Sequence, residues 1–192
     1  MTRLDVTTAW VIMGCWVVFF AYWLVSAFRL KAVAERVSGL PALAYRAPIM
    51  LGTALWCGVG FHDSWRLALT PRMELARAGG AVICALGLLV AIWSRRTLAG
   101  NWSSSITLKA GHELIEKGPY RFARHPIYTG ILLMCLGTAI AQGRLCAWLG
   151  FLLMCVGFWV KLKQEESLLL RHFPEAYPAY RKRVKALVPF VI

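Results

Sequence analysis

The sequence predicts an all-α integral membrane fold of about five transmembrane helices, the last two forming a tight helical hairpin. Three observations carry this expectation. Hydrophobic residues make up 59% of the 192 residues and charged residues 16%, against roughly 45–50% and 25% in soluble domains. The mean hydropathy is +0.58. The apolar residues are gathered into five runs separated by short polar or basic connections. At this length the chain reads as a single domain, 1–192, with three spans in 1–96 and a chemistry-bearing region in 97–192.

The first run, Val6 to Phe28, holds no charge. At about 1.5 Å per residue it can cross a hydrocarbon core of about 30 Å, and it exceeds the length of a signal-peptide core. Trp10 and Trp23 suit its two interfaces. Arg29, Lys31, Arg36 and Arg46 follow, around a Gly39-Leu40-Pro41 break. The second run goes from Ala47 to about Leu69, with His62, Asp63 and Arg66 near its far end. These three read either as an interfacial helix end or as groups lining a cavity. After a loop over 70–77, the third run spans Ala78 to Trp93. Thr97–Arg124 is polar and is the longest non-membrane segment inside the chain. The fourth run is Ile127 to Gln142. The fifth is Leu145 to Val160, joined to it by Gly143-Arg144, so the two helices must be antiparallel neighbours. Gly130 and Gly137, and likewise Gly150 and Gly157, lie seven apart, a spacing of small residues that lets helix backbones approach in lipid. The fifth helix continues without a breaker through Lys161 to Phe173, and Pro174 is its first stop signal. A basic tail, Tyr180 to Lys185, and an apolar end follow.

The net charge is +13. Accompanied by long apolar runs, it speaks for charge facing anionic lipids or an anionic ligand, not for nucleic acid. The side of the membrane holding 29–46, 94–126 and 161–192 carries 17 Lys and Arg, the other side five. The positive-inside rule then expects the N-terminus outside and the C-terminus in the cytoplasm. The membrane would be the inner membrane of a bacterium or the endoplasmic reticulum of a eukaryote. Six cysteines without a CxxC pair read as buried thiols. Four histidines without HxxxH or HExxH spacing point away from a metal.

Chemistry concentrates in Gly118-Pro119-Tyr120-Arg121-Phe122-Ala123-Arg124-His125-Pro126-Ile127-Tyr128-Thr129-Gly130. Pro126 fits the first turn of a helix. Arg124 and His125 would then sit beside a helix N-terminus, where free N–H groups favour a carboxylate or phosphate. Their alternative is a plain role at the lipid headgroups. Glu165 and Glu166 lie on the other arm of the hairpin, on the same side of the membrane. Adjacent on a helix, they face different ways, one inward and one to water. A carboxylate there suits an ammonium or hydroxyl groups, or pairs with Arg124 or Arg121. Lys161 lies one turn before Glu165 on the same face. Together these residues describe a site for a zwitterionic ligand that also meets lipid. No base stands out beyond Glu166.

Gly118-Pro119-Tyr120, Arg124-His125-Pro126-Ile127-Tyr128-Thr129-Gly130, Glu165-Glu166, Phe173-Pro174-Glu175-Ala176-Tyr177 and Tyr180-Arg181-Lys182-Arg183-Val184, in that order, resemble the isoprenylcysteine carboxyl methyltransferase family. The related phospholipid N-methyltransferases share the histidine-proline and double-glutamate elements. The resemblance covers about 101–190; the first three spans match by hydropathy only. It implies an integral membrane methyltransferase using S-adenosyl-L-methionine. No GxGxxG motif is present, as in that family. The cofactor contacts it implies fall on His112, Glu113, Leu114, Ile115, Tyr120, His125, Pro126, Ile127, Tyr128 and Glu165, and Arg124 joins them at the helix start. It also implies a lipophilic or lipid-anchored methyl acceptor arriving from the bilayer, with Lys161 where the family has an arginine for the acceptor carboxylate. Lysine keeps the charge but loses the bidentate geometry, which bears on the acceptor more than on the reaction. The alternatives are a phospholipid N- or thiol S-methyltransferase and, from another class, a sterol-type membrane reductase using NADPH. Such reductases resemble the same C-terminal region but are longer, with more spans.

Overall fold

A computed structural model describes residues 3–28, 33–36, 38–58, 74–103, 105–109 and 113–189. In chain order the elements are α1 (Arg3–Ala27), β1 (Val33–Arg36), α2 (Leu40–Cys57), α3 (Glu74–Leu98), β2 (Thr107–Lys109), α4 (Pro126–Gln142), α5 (Leu145–His172) and α6 (Ala176–Arg183). Among the described residues, two short strands depart from an all-α chain: the antiparallel pair β1–β2, with Val33 opposite Lys109 and Arg36 opposite Thr107. Strands of four and three residues are too short to leave a periodic signal.

Among the described residues, three helices are long and apolar enough to cross a membrane: Val6–Ala27, Glu74–Asn101 and Leu145–His172. α4 is a shorter apolar helix. Their outer faces expose large apolar side chains such as Val17, Phe20, Leu24, Leu89 and Val156, the arrangement that a hydrocarbon solvent selects. The chain is an integral membrane protein.

The boundaries of α4 and α5 fall where the sequence puts them. Pro126 occupies the first turn of α4, and Gly143, at φ 62°, closes it with its N–H on the Ala139 carbonyl at 2.9 Å. α5 runs unbroken from Leu145 to His172. The second helix is displaced: it begins at Leu40 and ends at Cys57, not over 47–69. Pro41 lies in its first turn, where a missing N–H costs nothing, so the Gly39-Leu40-Pro41 break is a helix start. Gly58 in the left-handed region caps the other end. His62, Asp63 and Arg66 lie outside the described residues. α3 begins at Glu74 and ends at Leu98, longer at both ends than its apolar run. Trp10 is exposed, whereas Trp23 turns inward, stacked on Phe19 at 4.0 Å.

The heptad-spaced glycines of the hairpin do not face each other. Gly130 and Gly137 of α4 lie against Gly87 and Gly80 of α3, and Gly150 of α5 lies against Gly52 of α2. A Cβ built on Gly87 would stand 2.6 Å from the Gly130 carbonyl oxygen, and one on Gly150 would stand 2.5 Å from that of Gly52. Each arm of the hairpin is therefore joined backbone to backbone with a different partner. Overpacking such a contact costs typically about 1–3 kcal/mol. Gly87→Ala should lower the thermal unfolding temperature in detergent, whereas Gly14→Ala, where nothing lies within 4 Å, should not. Equal behaviour of the two variants would refute the close-packed seam.

Candidate functional site

The polar residues converge where the start of α4, the far half of α5 and the C-terminal segment meet. Gly118, at φ 59°, turns the chain under α3, where a Cβ would come within 3.1 Å of Thr97 Oγ1. The following turn delivers Tyr120, and the chain then enters α4 through His125-Pro126. The C-terminal strap, Val184 to Leu187, runs alongside. The N–H groups of Arg124 and His125 donate to the Lys185 and Ala186 carbonyls, both at 2.9 Å. Thr129 Oγ1 donates to the Leu187 carbonyl at 2.7 Å. The Tyr180 hydroxyl donates to the Tyr120 carbonyl at 2.5 Å, tying α6 to the same turn.

The two adjacent carboxylates divide as helix geometry demands. Glu166 points inward and is 3% exposed. Arg124 clasps its Oε1 through Nε at 2.8 Å and Nη2 at 2.5 Å, and the same guanidinium donates to the Val184 carbonyl. Arg181 adds a contact at 3.7 Å. A buried carboxylate needs this kind of compensation. Glu165 is about a third exposed. It accepts a 2.5 Å hydrogen bond from the Tyr128 hydroxyl and lies 3.8 Å from His125 Nδ1. The His125 and Tyr128 rings stack at 5.4 Å, nearly parallel.

Above Glu165 lies a cavity of about 810 Å³, counted with the open solvent at its mouth. Its lining includes Glu113, Leu114, Ile115, Tyr120, Arg124, His125, Ile127, Tyr128 and Glu165. These are nine of the eleven residues named from the sequence as cofactor contacts. Pro126 is buried in the first turn of α4 and does not line it. His112 lies outside the described residues.

Three assignments change in character. The Arg124 guanidinium reaches the cavity wall but is engaged by Glu166 and by main-chain carbonyls, so the anion expected beside this helix start is supplied by the chain itself. Glu166 is absent from the cavity lining, and its carboxylate is held by Arg124. Lys161 is also outside the lining. It is buried, with Nζ 5.1 Å from the Tyr128 ring centre and 5.7 Å from that of Tyr45, an arrangement in which two aromatic faces help to carry its charge.

The cavity also draws on residues that the sequence reading left without a role: Asn101, Trp102, Ser103, Ser105, Thr107, Tyr177 and Tyr180. The polar run after α3 and the tyrosines among the C-terminal motifs were the available signals. Burial pushes the phenols of Tyr120, Tyr177 and Tyr180 up, with Glu165, Glu166 and Glu116 respectively adding to the effect, so all three stay protonated as donors. Among the described residues, Asn101 Oδ1 and Thr107 Oγ1 are buried without a hydrogen-bond partner. His125 Nε2 and the Tyr177 hydroxyl, on two more lining residues, are in the same position. Buried polar atoms in native proteins are paired, and orphans around one cavity mark places for a polar ligand.

Comparison with known proteins agrees with this geometry. The family model described as phospholipid methyltransferase matches residues 75–176. The protein-S-isoprenylcysteine O-methyltransferase of Schizosaccharomyces pombe is 33% identical over 81 residues, covering 42% of this chain and 34% of that protein. Protein-S-isoprenylcysteine O-methyltransferase B of Arabidopsis thaliana is 34% identical over 84 residues, covering 42% of this chain and 41% of that one. The chain thus matches less than half the length of these relatives. A solved structure of the eukaryotic intramembrane Ras methyltransferase, isoprenylcysteine carboxyl methyltransferase, shares the fold with a TM-score of 0.51 at 20% identity, over 99% of this chain and 88% of that one. The match to the family model takes in more than half of the chain, including α3, the His125-Pro126 helix start and the Glu165-Glu166 pair, and the chain belongs to the phospholipid methyltransferase family.

Proposed function

We propose that this protein is an integral membrane methyltransferase that binds S-adenosyl-L-methionine in the cavity above Glu165 and methylates a carboxylate, isoprenylcysteine-like, or another lipophilic acceptor. The observation that carries this reading is that one cavity is lined both by an accessible carboxylate and by residues whose buried polar atoms lack partners. A ligand with a sulfonium, an ammonium and a polar nucleoside fits that donor set: Glu165 offers a counter-charge, while Asn101 and Thr107 offer hydrogen bonds. When bound, the cofactor would supply a methyl group on a sulfonium, which passes to the acceptor as the neutral thioether leaves.

The chain's own part is to bind, orient and exclude water. Tyr128 donates to Glu165 and fixes its rotamer, and His125, stacked on Tyr128, braces the ring from the helix start. The Arg124–Glu166 pair locks α4 to α5 and to the strap behind the cavity. A carboxylate or thiolate acceptor needs no base, which suits a site whose inner glutamate is committed to an arginine. Lys161, between α2 and the cavity, supplies a cation for an acidic acceptor. In this reading the N-terminus lies outside, the C-terminus and the cavity lie at the cytoplasmic face, and the chain crosses the membrane five times.

A phospholipid amine or a thiol is the second acceptor class, favoured by the description of the family model and by lysine in place of arginine at 161. The deciding measurement is calorimetry on the detergent-purified protein. S-adenosylhomocysteine, the demethylated product, is expected to bind and NADPH is not. NADPH binding without S-adenosylhomocysteine binding would overturn the reading in favour of a reductase.

A further inference from the structure

A second cavity lies on the same membrane face, between the ends of α1 and α3. It is lined by Tyr22, Val25 and Ser26 from α1, by Arg95 and Arg96 from the last turn of α3, and by Ala99 and Gly100. Its volume, open mouth included, is about 740 Å³. Arg95 is the unusual member. It is 3% exposed, and its guanidinium donates through Nη1 to the Ala99 carbonyl at 2.7 Å and through Nη2 to the Ser26 carbonyl at 2.9 Å. One face stacks on the Trp102 ring at 4.5 Å. No carboxylate among the described residues lies within ion-pair distance of it, and Nε is buried without a hydrogen-bond partner.

Carbonyls and an aromatic face ease the burial of a cation without cancelling its charge. Buried charges are normally paired, and the remaining donor of this one, Nε, belongs to the fork that carboxylate and phosphate oxygens take up. Arg96, exposed beside the same cavity, adds a second positive charge. The surroundings define what kind of anion fits. Val25, in the lining, and its neighbour Leu24 are exposed apolar side chains of α1. In a membrane protein such surfaces meet acyl chains, and basic pockets between helices at this depth take lipid headgroups. We infer that this cavity binds the phosphate of an anionic phospholipid, held by Arg95 and Arg96, with its acyl chains running along α1 and α3.

The site is separate from the cavity above Glu165, although both share one wall. Leu98, Asn101 and Trp102 face the first cavity, and Ala99 and Gly100 face the second. The inference does not rest on methyl transfer, because lipid retention is read with no cofactor present.

The test is native mass spectrometry of the full chain released from detergent containing phosphatidylglycerol or an uncharged diacylglycerol glycolipid of the same acyl chains. Phosphatidylglycerol adducts are expected to survive at about tenfold higher occupancy, the equivalent of about 1.4 kcal/mol. Arg95→Gln should bring them down to the level of the uncharged lipid. Val25→Trp narrows the cavity from its lipid-facing side without touching the buried guanidinium, and should do the same if Arg95→Gln fails to fold. Equal retention of the two lipids, or undiminished phosphatidylglycerol binding in the variant that folds, would overturn the inference. Displacement by inorganic phosphate at millimolar concentration would overturn it too, in favour of a free-phosphate site.

Discussion

Glu165→Gln is expected to weaken binding of S-adenosylhomocysteine about 10- to 100-fold while leaving the unfolding temperature unchanged. The magnitude is that of one hydrogen bond to a charged group, about 1.5–3 kcal/mol. Stability should hold because Glu165 is about a third exposed and its buried partner, the Tyr128 hydroxyl, can donate equally to the amide oxygen of glutamine. Tyr128→Phe should produce a smaller loss, since it frees the rotamer of Glu165 without removing the charge. Calorimetry reads both. Parental affinity in Glu165→Gln would remove this carboxylate from the ligand site and, with it, the observation on which the proposed activity stands.

The largest effect on stability is expected from the neighbouring glutamate. Glu166→Gln leaves the Arg124 guanidinium, 7% exposed, without its anion, and breaking a buried pair from one side costs about 3–5 kcal/mol. Because Arg124 also holds the Val184 carbonyl, the strap should loosen together with α4. A lower unfolding temperature in detergent and faster proteolysis within 181–189 are the expected readouts. The double variant Arg124→Gln/Glu166→Gln should recover part of the loss, since neither charge is then stranded. A single variant as stable and as protease-resistant as the parent would show the pair to be dispensable.

These two residues illustrate what the sequence can and cannot say. Adjacency on a helix guarantees that Glu165 and Glu166 face differently, but not which one turns inward. That depends on Arg124, 42 positions away, and on a strap whose course no local pattern reveals. The helical hairpin was legible because Pro126, Gly143 and Pro174 act locally and punctuate uninterrupted apolar runs. The start of α2 was misplaced for a related reason: Pro41 ends a helix in one context and begins one in another, and hydropathy alone does not choose. The glycines at heptad spacing announce close packing without naming the partner, because Gly130 and Gly137 carry no information about Gly80 and Gly87 on the neighbouring helix. The cavity was visible in part. Its charged and aromatic wall lies in a dense motif, whereas Asn101 and Thr107 come from a polar segment whose side chains acquire meaning only when β2 and the end of α3 fold over the site.

The strap carries one further consequence. Along it, Val184 and Ala186 are buried while Lys185 is exposed, and the Lys185 and Ala186 carbonyls accept from the main-chain N–H groups of Arg124 and His125. Such bonds are indifferent to the identity of the residue that supplies the carbonyl and sensitive to its place in the count. The protein can therefore exchange the side chain at 185 freely, but it cannot gain or lose a residue between Arg183 and Leu187 without turning the strap inside out. At this edge of the site, what the chain preserves is a length.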